Sequence, residues 1–207
     1  AKKEVYGEVG IDSITGPSEV TIVSDQSSKP EWIAADLIAQ AEHDKYAQSI
    51  LISNNKKCIK DVNVYLKKQL KKLPKKVIAT ASLKKFGMSI FSKNLNKTVD
   101  IINLIAPEHL EILTKDPKKI LNKIKNAGSI FIGNYSPEAM GDYLAGSNHV
   151  LPTAGSARFS SGLSVYEFLK RHSIIKISKL GIERLGASVI NLAKHEDLIG
   201  HANSIEM

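Results

Sequence analysis

Short apolar runs alternate along this chain with longer segments in which apolar positions recur at helical spacing. Val20-Thr21-Ile22-Val23-Ser24, Ser49-Ile50-Leu51-Ile52-Ser53, Met88 to Ser92 and Ser129-Ile130-Phe131-Ile132-Gly133 are compact and β-branched, and predict strands. His109 to Leu113 predicts a further short strand. Between the first two runs, Ser27, Ser28 and Pro30 suit a helix start, and Trp32 to Glu42 carries the helical pattern. A second helix is expected over Lys56–Leu70, with Val62, Leu66 and Leu70 on one face. Val99 to Ile105, a segment opened by Pro117 and the short stretch Pro137 to Met140 read as further helices.

Strands that alternate with helices predict an α/β fold whose sheet is mostly parallel and flanked by helices. Residues 141 to 162 are rich in Gly, Ser and Asn and read as a long loop, a feature that compact domains usually keep for function. Beyond it, Ser164 to Lys170 and Ile182 to Ala193 predict helices, with a possible strand at Ile174 to Ile177, so a small, mainly helical C-terminal domain is expected. The sequence shows no internal repeat and no glycine-rich dinucleotide fingerprint.

Composition narrows the function classes. A chain of 207 residues with 43% hydrophobic and 24% charged positions suits a globular domain, and no stretch is apolar for long enough to cross a membrane. One cysteine, Cys58, excludes an internal disulfide, and cytoplasmic residence is the expectation. The formal charge is +8, but the excess is lysine: only Arg158, Arg171 and Arg184 are arginine. The densest run, Lys67 to Lys76, lies at a helix end and has no aromatic residue to stack on a base, so neither nucleic acid nor membrane is expected as a partner.

Candidate chemistry lies elsewhere. Four of the six histidines stand close to an acid or amide: Gln40-Ala41-Glu42-His43, Pro107-Glu108-His109, Gly141-Asp142 with Asn148-His149, and Glu196 with His201. Imidazole titrates near neutrality and is the commonest metal ligand, so these groups suit a metal enzyme. Gln40 and His43 are three apart near a helix end and can address one ion, although His43 also suits a helix C-terminal cap. Pro107 is expected to hold Ala106 extended, leaving Glu108 and His109 adjacent at a loop-to-strand junction where they can divide acid and base roles or be a solvated pair. Asp142 offers a hard carboxylate to a zinc sphere. Glu196 and His201 are expected on the last helix, five residues apart and so on different faces. Gly16-Pro17-Ser18-Glu19 forms a rigid turn presenting a hydroxyl, but it is no nucleophile elbow, and Cys58 reads as structural.

Taken together, Gly16-Pro17-Ser18-Glu19, Gln40-Ala41-Glu42-His43, Ala106-Pro107-Glu108-His109, Gly128 to Gly133, Gly141-Asp142-Tyr143, Gly146 to Thr153 and Glu196 to His201 resemble histidinol dehydrogenase. The resemblance runs in order along essentially the whole chain. It implies oxidation of L-histidinol through L-histidinal to L-histidine with reduction of two NAD molecules, by a homodimer holding one zinc ion per site. It implies Gln40, His43, Asp142 and His201 as zinc ligands and Glu108 and His109 as the catalytic pair. Ser18, Gln40, His43, His109, Asp142, His149, Glu196 and His201 are implied to line the substrate site, with Glu196 and His201 reaching the partner's site.

The resemblance is to the C-terminal half of the family's chain. The expected division is therefore 1–19 as the end of an NAD-binding domain otherwise missing, 20–154 as a partial, incomplete Rossmann-like catalytic domain, and 155–207 as a helical dimerisation and active-site domain. Most NAD-binding residues are expected in the missing half, which becomes a possible partner. A zinc-dependent hydrolase using Glu108 as base, or a non-catalytic zinc-binding or dimerisation remnant, stand as alternatives.

Overall fold

The computed structural model describes residues 2–206. They form α1 (Lys2–Val5), β1 (Glu19–Ser24), α2 (Pro30–Ala41), β2 (Gln48–Ser53), α3 (Lys56–Leu70), α4 (Lys76–Phe86), β3 (Gly87–Phe91), α5 (Leu95–Ile105), β4 (His109–Leu113), α6 (Lys118–Leu121), β5 (Ser129–Ile132), α7 (Glu138–Tyr143), α8 (Lys179–His195) and α9 (Ile199–Glu206). The chain divides into two compact units, Ala1–Glu167 and Phe168–Met207.

The first unit is a five-stranded, all-parallel sheet in the order β3-β2-β1-β4-β5. The chain winds outward from β1 to β3, returns to lay β4 beside β1, and ends at β5. A parallel sheet covered on both faces needs apolar side chains on both, and the three inner strands are buried almost throughout, whereas β3 and β5 at the edges are mostly exposed or half-buried. One core cluster packs Val20, Ile22 and Leu51 against Ile33, Leu37 and Val62 of α2 and α3. The other packs Val23, Ile52, Leu110 and Ile112 against Val99 and Ile102 of α5. Leu110 and Ile112 face α5, so strand alternation turns His109, Glu111 and Leu113 toward the α2 side.

Four local expectations are corrected. Ala106 is not extended: it adopts φ 51° and ψ 60°, and its N–H donates to the Ile102 carbonyl at 2.8 Å. The left-handed conformation ends α5 as a cap while still avoiding the right-handed region that the following proline disfavours. Residues 174–177 form no strand, and the expected helix from Ser164 shrinks to a 3₁₀ turn at Val165–Phe168. Glu196 and His201 do not share a helix: Glu196 caps α8, Asp197 reverses the chain at φ 57°, and His201 lies on α9. Helix α4, like the short α1, has no counterpart in the sequence reading. α4 buries only the small residues Ala79 and Ser82, the Ser82 hydroxyl donating to the Ala47 carbonyl, so it carries no apolar stripe.

Candidate metal and catalytic site

Three elements each present a pair of polar side chains to one place beside the amino end of the sheet. β4 presents His109 and Glu111, two apart and therefore on one face. α2 presents Asp36 and Gln40, four apart on one helix face, with His43 in the turn just beyond. α7 presents Glu138 and Asp142, again four apart. Asp142 was expected just after a short helix; the helix in fact includes it, and this aligns it with Glu138. Gly141 lets α7 approach β5, since a Cβ there would meet the Phe131 ring at 2.5 Å.

The upper layer of the cluster is centred on His109, which is 3% exposed. Its Nδ1 lies 3.2 Å from the Glu19 carbonyl, 3.6 Å from a Glu138 oxygen and 3.7 Å from a Glu108 oxygen, and its Nε2 lies 3.5 Å from Asp142. A proton on Nδ1 donated to the Glu19 carbonyl leaves Nε2 as the basic nitrogen, and Nε2 has no hydrogen-bond partner. Burial lowers the His109 pKa, opposed by the Asp142 charge, so the neutral ring is favoured.

Glu108 stands where β4 begins. It accepts the Glu19 N–H at 2.9 Å, and burial, together with the Glu19 and Asp142 charges, raises its pKa to about 7 against the hydrogen bonds from Glu19 and Ser18. Ser18 is thereby brought to Glu108. The turn bearing it is fixed by the Gly16 N–H to the Thr153 hydroxyl and by the Gln48 N–H to the Ser18 carbonyl. Gly128 permits the start of β5 to lie against Glu108, whose carbonyl a Cβ at 128 would meet at 2.5 Å.

His43, Glu138 and Asp142 offer one nitrogen and two carboxylate oxygens within 4.8 Å of one another, a donor set suited to zinc. Gln40 is fully buried and adjoins this set, its amide nitrogen donating to both Glu138 oxygens at 2.9 and 3.1 Å in the orientation that satisfies both groups. Of the expected ligands, Gln40, His43 and Asp142 are therefore gathered in the first unit, while His201 belongs to the second. His149 is exposed in the long loop, and among the described residues no contact found joins it to the cluster.

A lower layer escaped the sequence reading. Asp36 and Glu111 bring two carboxyls against one another, and Glu111 Oε1 accepts the Glu138 N–H at 2.9 Å. Burial raises Asp36 to about 6, holds Glu111 well above the carboxylate range and, with the Glu111 and Asp142 charges, raises Glu138 to about 9. The available signal was positional: Asp36 and Glu138 each stand four before a candidate ligand, and Glu111 interrupts an apolar strand two after His109.

The histidinol dehydrogenase family matches residues 1–207. Histidinol dehydrogenase of Pelagibacter ubique is 60% identical over 207 residues, covering 100% of this chain and 48% of that protein. The Bradyrhizobium diazoefficiens enzyme of the same name is 52% identical over 205 residues, 99% of this chain and 48% of that one. A crystal structure of histidinol dehydrogenase from Elizabethkingia anophelis superimposes with a TM-score of 0.85 at 38% identity, over 96% of this chain and 46% of that chain. The chain thus spans about half the length of the curated relatives it matches. With the family matched from end to end, and a solved member sharing the sheet, this chain belongs to the histidinol dehydrogenase family.

Proposed function

We propose that this chain carries the metal and proton-transfer half of a zinc- and NAD-dependent enzyme that oxidises L-histidinol through L-histidinal to L-histidine. The observation that supports this reading best is the buried, neutral-favouring His109, its Nε2 unpartnered, beside a zinc-suited donor cluster and a carboxyl poised near neutrality. Gln40, His43 and Asp142 would hold the metal, which when bound supplies a Lewis acid that orients the substrate's amino and imidazole nitrogens.

His109 Nε2 takes the alcohol proton as a hydride leaves the carbinol carbon. Asp142, 3.5 Å away, stabilises the imidazolium that forms. Glu108 then takes a proton from water as the water oxygen adds to the aldehyde carbon, while the His109 imidazolium returns its proton to the aldehyde oxygen. The resulting hydrate gives up a second hydride and two protons, one to His109 and one to solvent, to leave the carboxylate. NAD, when bound, would supply the acceptor for both hydrides. The loop after β1, Asp25-Gln26-Ser27-Ser28, lacks glycine, and Asp25 itself takes the Ser27 and Lys115 N–H groups.

The same reading makes the enzyme a homodimer in which His201 of one subunit completes the other's metal sphere and Glu196, with His149 and Ser18, contacts substrate. A monomer that binds zinc equally well after His201→Ala would remove that part. The main test is NADH formation from L-histidinol, with zinc and excess NAD, by this chain alone and with the complementary half of a full-length relative. NADH in either mixture is expected. Silence in both sinks the reading, and product formed without NAD would put the hydrolase first.

A further inference from the structure

Gln40 poses a problem of orientation. An amide binds a cation through its oxygen, because the NH₂ end has no available lone pair. The side chain is 0% exposed, so water cannot decide which end faces the metal. Something in the protein must hold the nitrogen. Glu138 is placed to do so: with the Gln40 amide turned so that its nitrogen faces Glu138, that nitrogen lies 2.9 and 3.1 Å from the two carboxyl oxygens and has an acceptor there.

Glu138 is itself held at three points. Its backbone N–H donates to Glu111 Oε1 at 2.9 Å, its side chain lies 3.6 Å from His109 Nδ1, and it shares a helix face with Asp142. Glu111 is fully buried in β4, so the anchor belongs to the centre of the sheet. Such an arrangement ties the metal donors of α2 and α7 to the strand that carries His109.

We propose that Glu138 is a positioning residue that fixes the Gln40 amide with its oxygen toward the metal and is not itself a required ligand. This rests on the zinc reading above. Groups that orient ligands typically change metal affinity by ~10–100-fold when removed.

The test is zinc affinity of the full 207-residue chain, read by chelator competition, with the ligand-field spectrum of the Co²⁺-loaded protein as a geometric readout. Circular dichroism and urea unfolding accompany each variant. Glu138→Ala is expected to weaken zinc ~10–100-fold. Glu138→Gln keeps an oxygen that can accept from Gln40, and is expected to stay within about threefold of the parent with an unchanged Co²⁺ spectrum. In a Gln40→Ala background, Glu138→Ala is expected to cost nothing further, since its effect passes through Gln40. Glu138→Gln as damaging as Glu138→Ala, with an altered spectrum, would make the carboxylate a ligand and overturn the proposal. So would equal losses with and without Gln40, or a Glu138→Ala protein that binds zinc normally. A parent chain that binds no zinc would instead defeat the metal reading on which the proposal depends.

Discussion

The two ends of the parallel sheet invert the usual order of doubly wound folds, in which ligands gather at the carboxyl ends of the strands. At the carboxyl end lies a cavity of about 610 Å³, lined among others by Ser24, Asp25, Ser53, Lys93, Thr114 and Lys115. Thr114 Oγ1 is buried there without a partner, but the other polar groups in and around the cavity are largely satisfied. Asp25 accepts the Ser27 N–H at 2.7 Å and the Lys115 N–H at 2.9 Å, Ser53 accepts the Asn55 N–H, and Asn55 and Asn94 cap α3 and α5. At the amino end His109 Nε2, Glu19 Oε2 and Glu111 Oε2 are buried without partners, and five carboxyls there, those of Glu19, Asp36, Glu108, Glu111 and Glu138, are pushed above their ordinary range. On the proposed reading, open volume does not locate the chemistry here. Polar groups held out of water without full satisfaction do, because they are costly unless a ligand or a reaction uses them.

The sharpest way to break this comparison is to disable one group at each end. His109→Asn keeps a polar side chain but removes the basic nitrogen. It should lower NADH formation from L-histidinol by ~10²–10⁴-fold, the usual worth of a positioned general base. Lys115→Ala at the carboxyl end should leave that rate unchanged within error. The opposite pattern would move the catalytic site to the carboxyl-end cavity. A second, somewhat smaller effect concerns pH. Burial and neighbouring carboxylates hold Glu108 near pH 7, and only its ionised form can accept a proton from water. Oxidation of L-histidinal should therefore rise about tenfold per pH unit below 7 and level off above it, and Glu108→Gln should abolish the rise. A flat profile in the parent enzyme would remove Glu108 from that step.

How far the sequence foresaw these two ends follows from what each kind of signal can report. The inner strands were legible because a sheet buried on both faces demands unbroken apolar runs, as in Ser49 to Ser53. The helix α4 was not, because it buries Ala79 and Ser82 and leaves Val77 76% exposed. Ala106 misled for a local reason: proline excludes the right-handed region before it but leaves the left-handed cap open. At the site, Glu108 and His109 stood out through adjacency, whereas Asp36, Glu111 and Glu138 become neighbours only once β4 is laid between α2 and α7. A single carboxylate in sequence looks like a solvated one. Its burial is a tertiary fact.

The lower acidic layer predicts a modest effect on stability with a defined sign. In the folded chain Asp36 is held at about 6, against 3.8 ordinarily, and Glu111 well above its usual value, in both cases first through burial. The folded state then keeps protons that the unfolded chain has lost. Stability is full below the ordinary carboxylate range and falls as pH rises through about 6. Glu111→Gln preserves an acceptor for the Glu138 N–H without the charge, so its melting temperature at pH 8 should exceed the parent's and its pH dependence should flatten. A lower melting temperature at pH 8 would show that the shared carboxyl pair stabilises the fold.

The smallest effect is expected at the other end and has the opposite pH sign. Burial pushes Asp25 up, but the hydrogen bonds from Ser27 and Lys115 outweigh it and hold the carboxyl below 3.8. Its contribution is present above that value and is lost as pH falls through the folded pKa. Asp25 joins the loop after β1 to the loop after β4, much as a cap ties backbone N–H groups at a helix start. Asp25→Ala should thus cost about 1 kcal/mol at neutral pH, the usual worth of a side chain that accepts such bonds. Zinc affinity should not change. Urea unfolding and chelator competition on the same preparation separate the two quantities. Unchanged stability with weakened zinc would mean that the two ends are coupled through the sheet, and that the division between a self-satisfied carboxyl end and a reactive amino end is false.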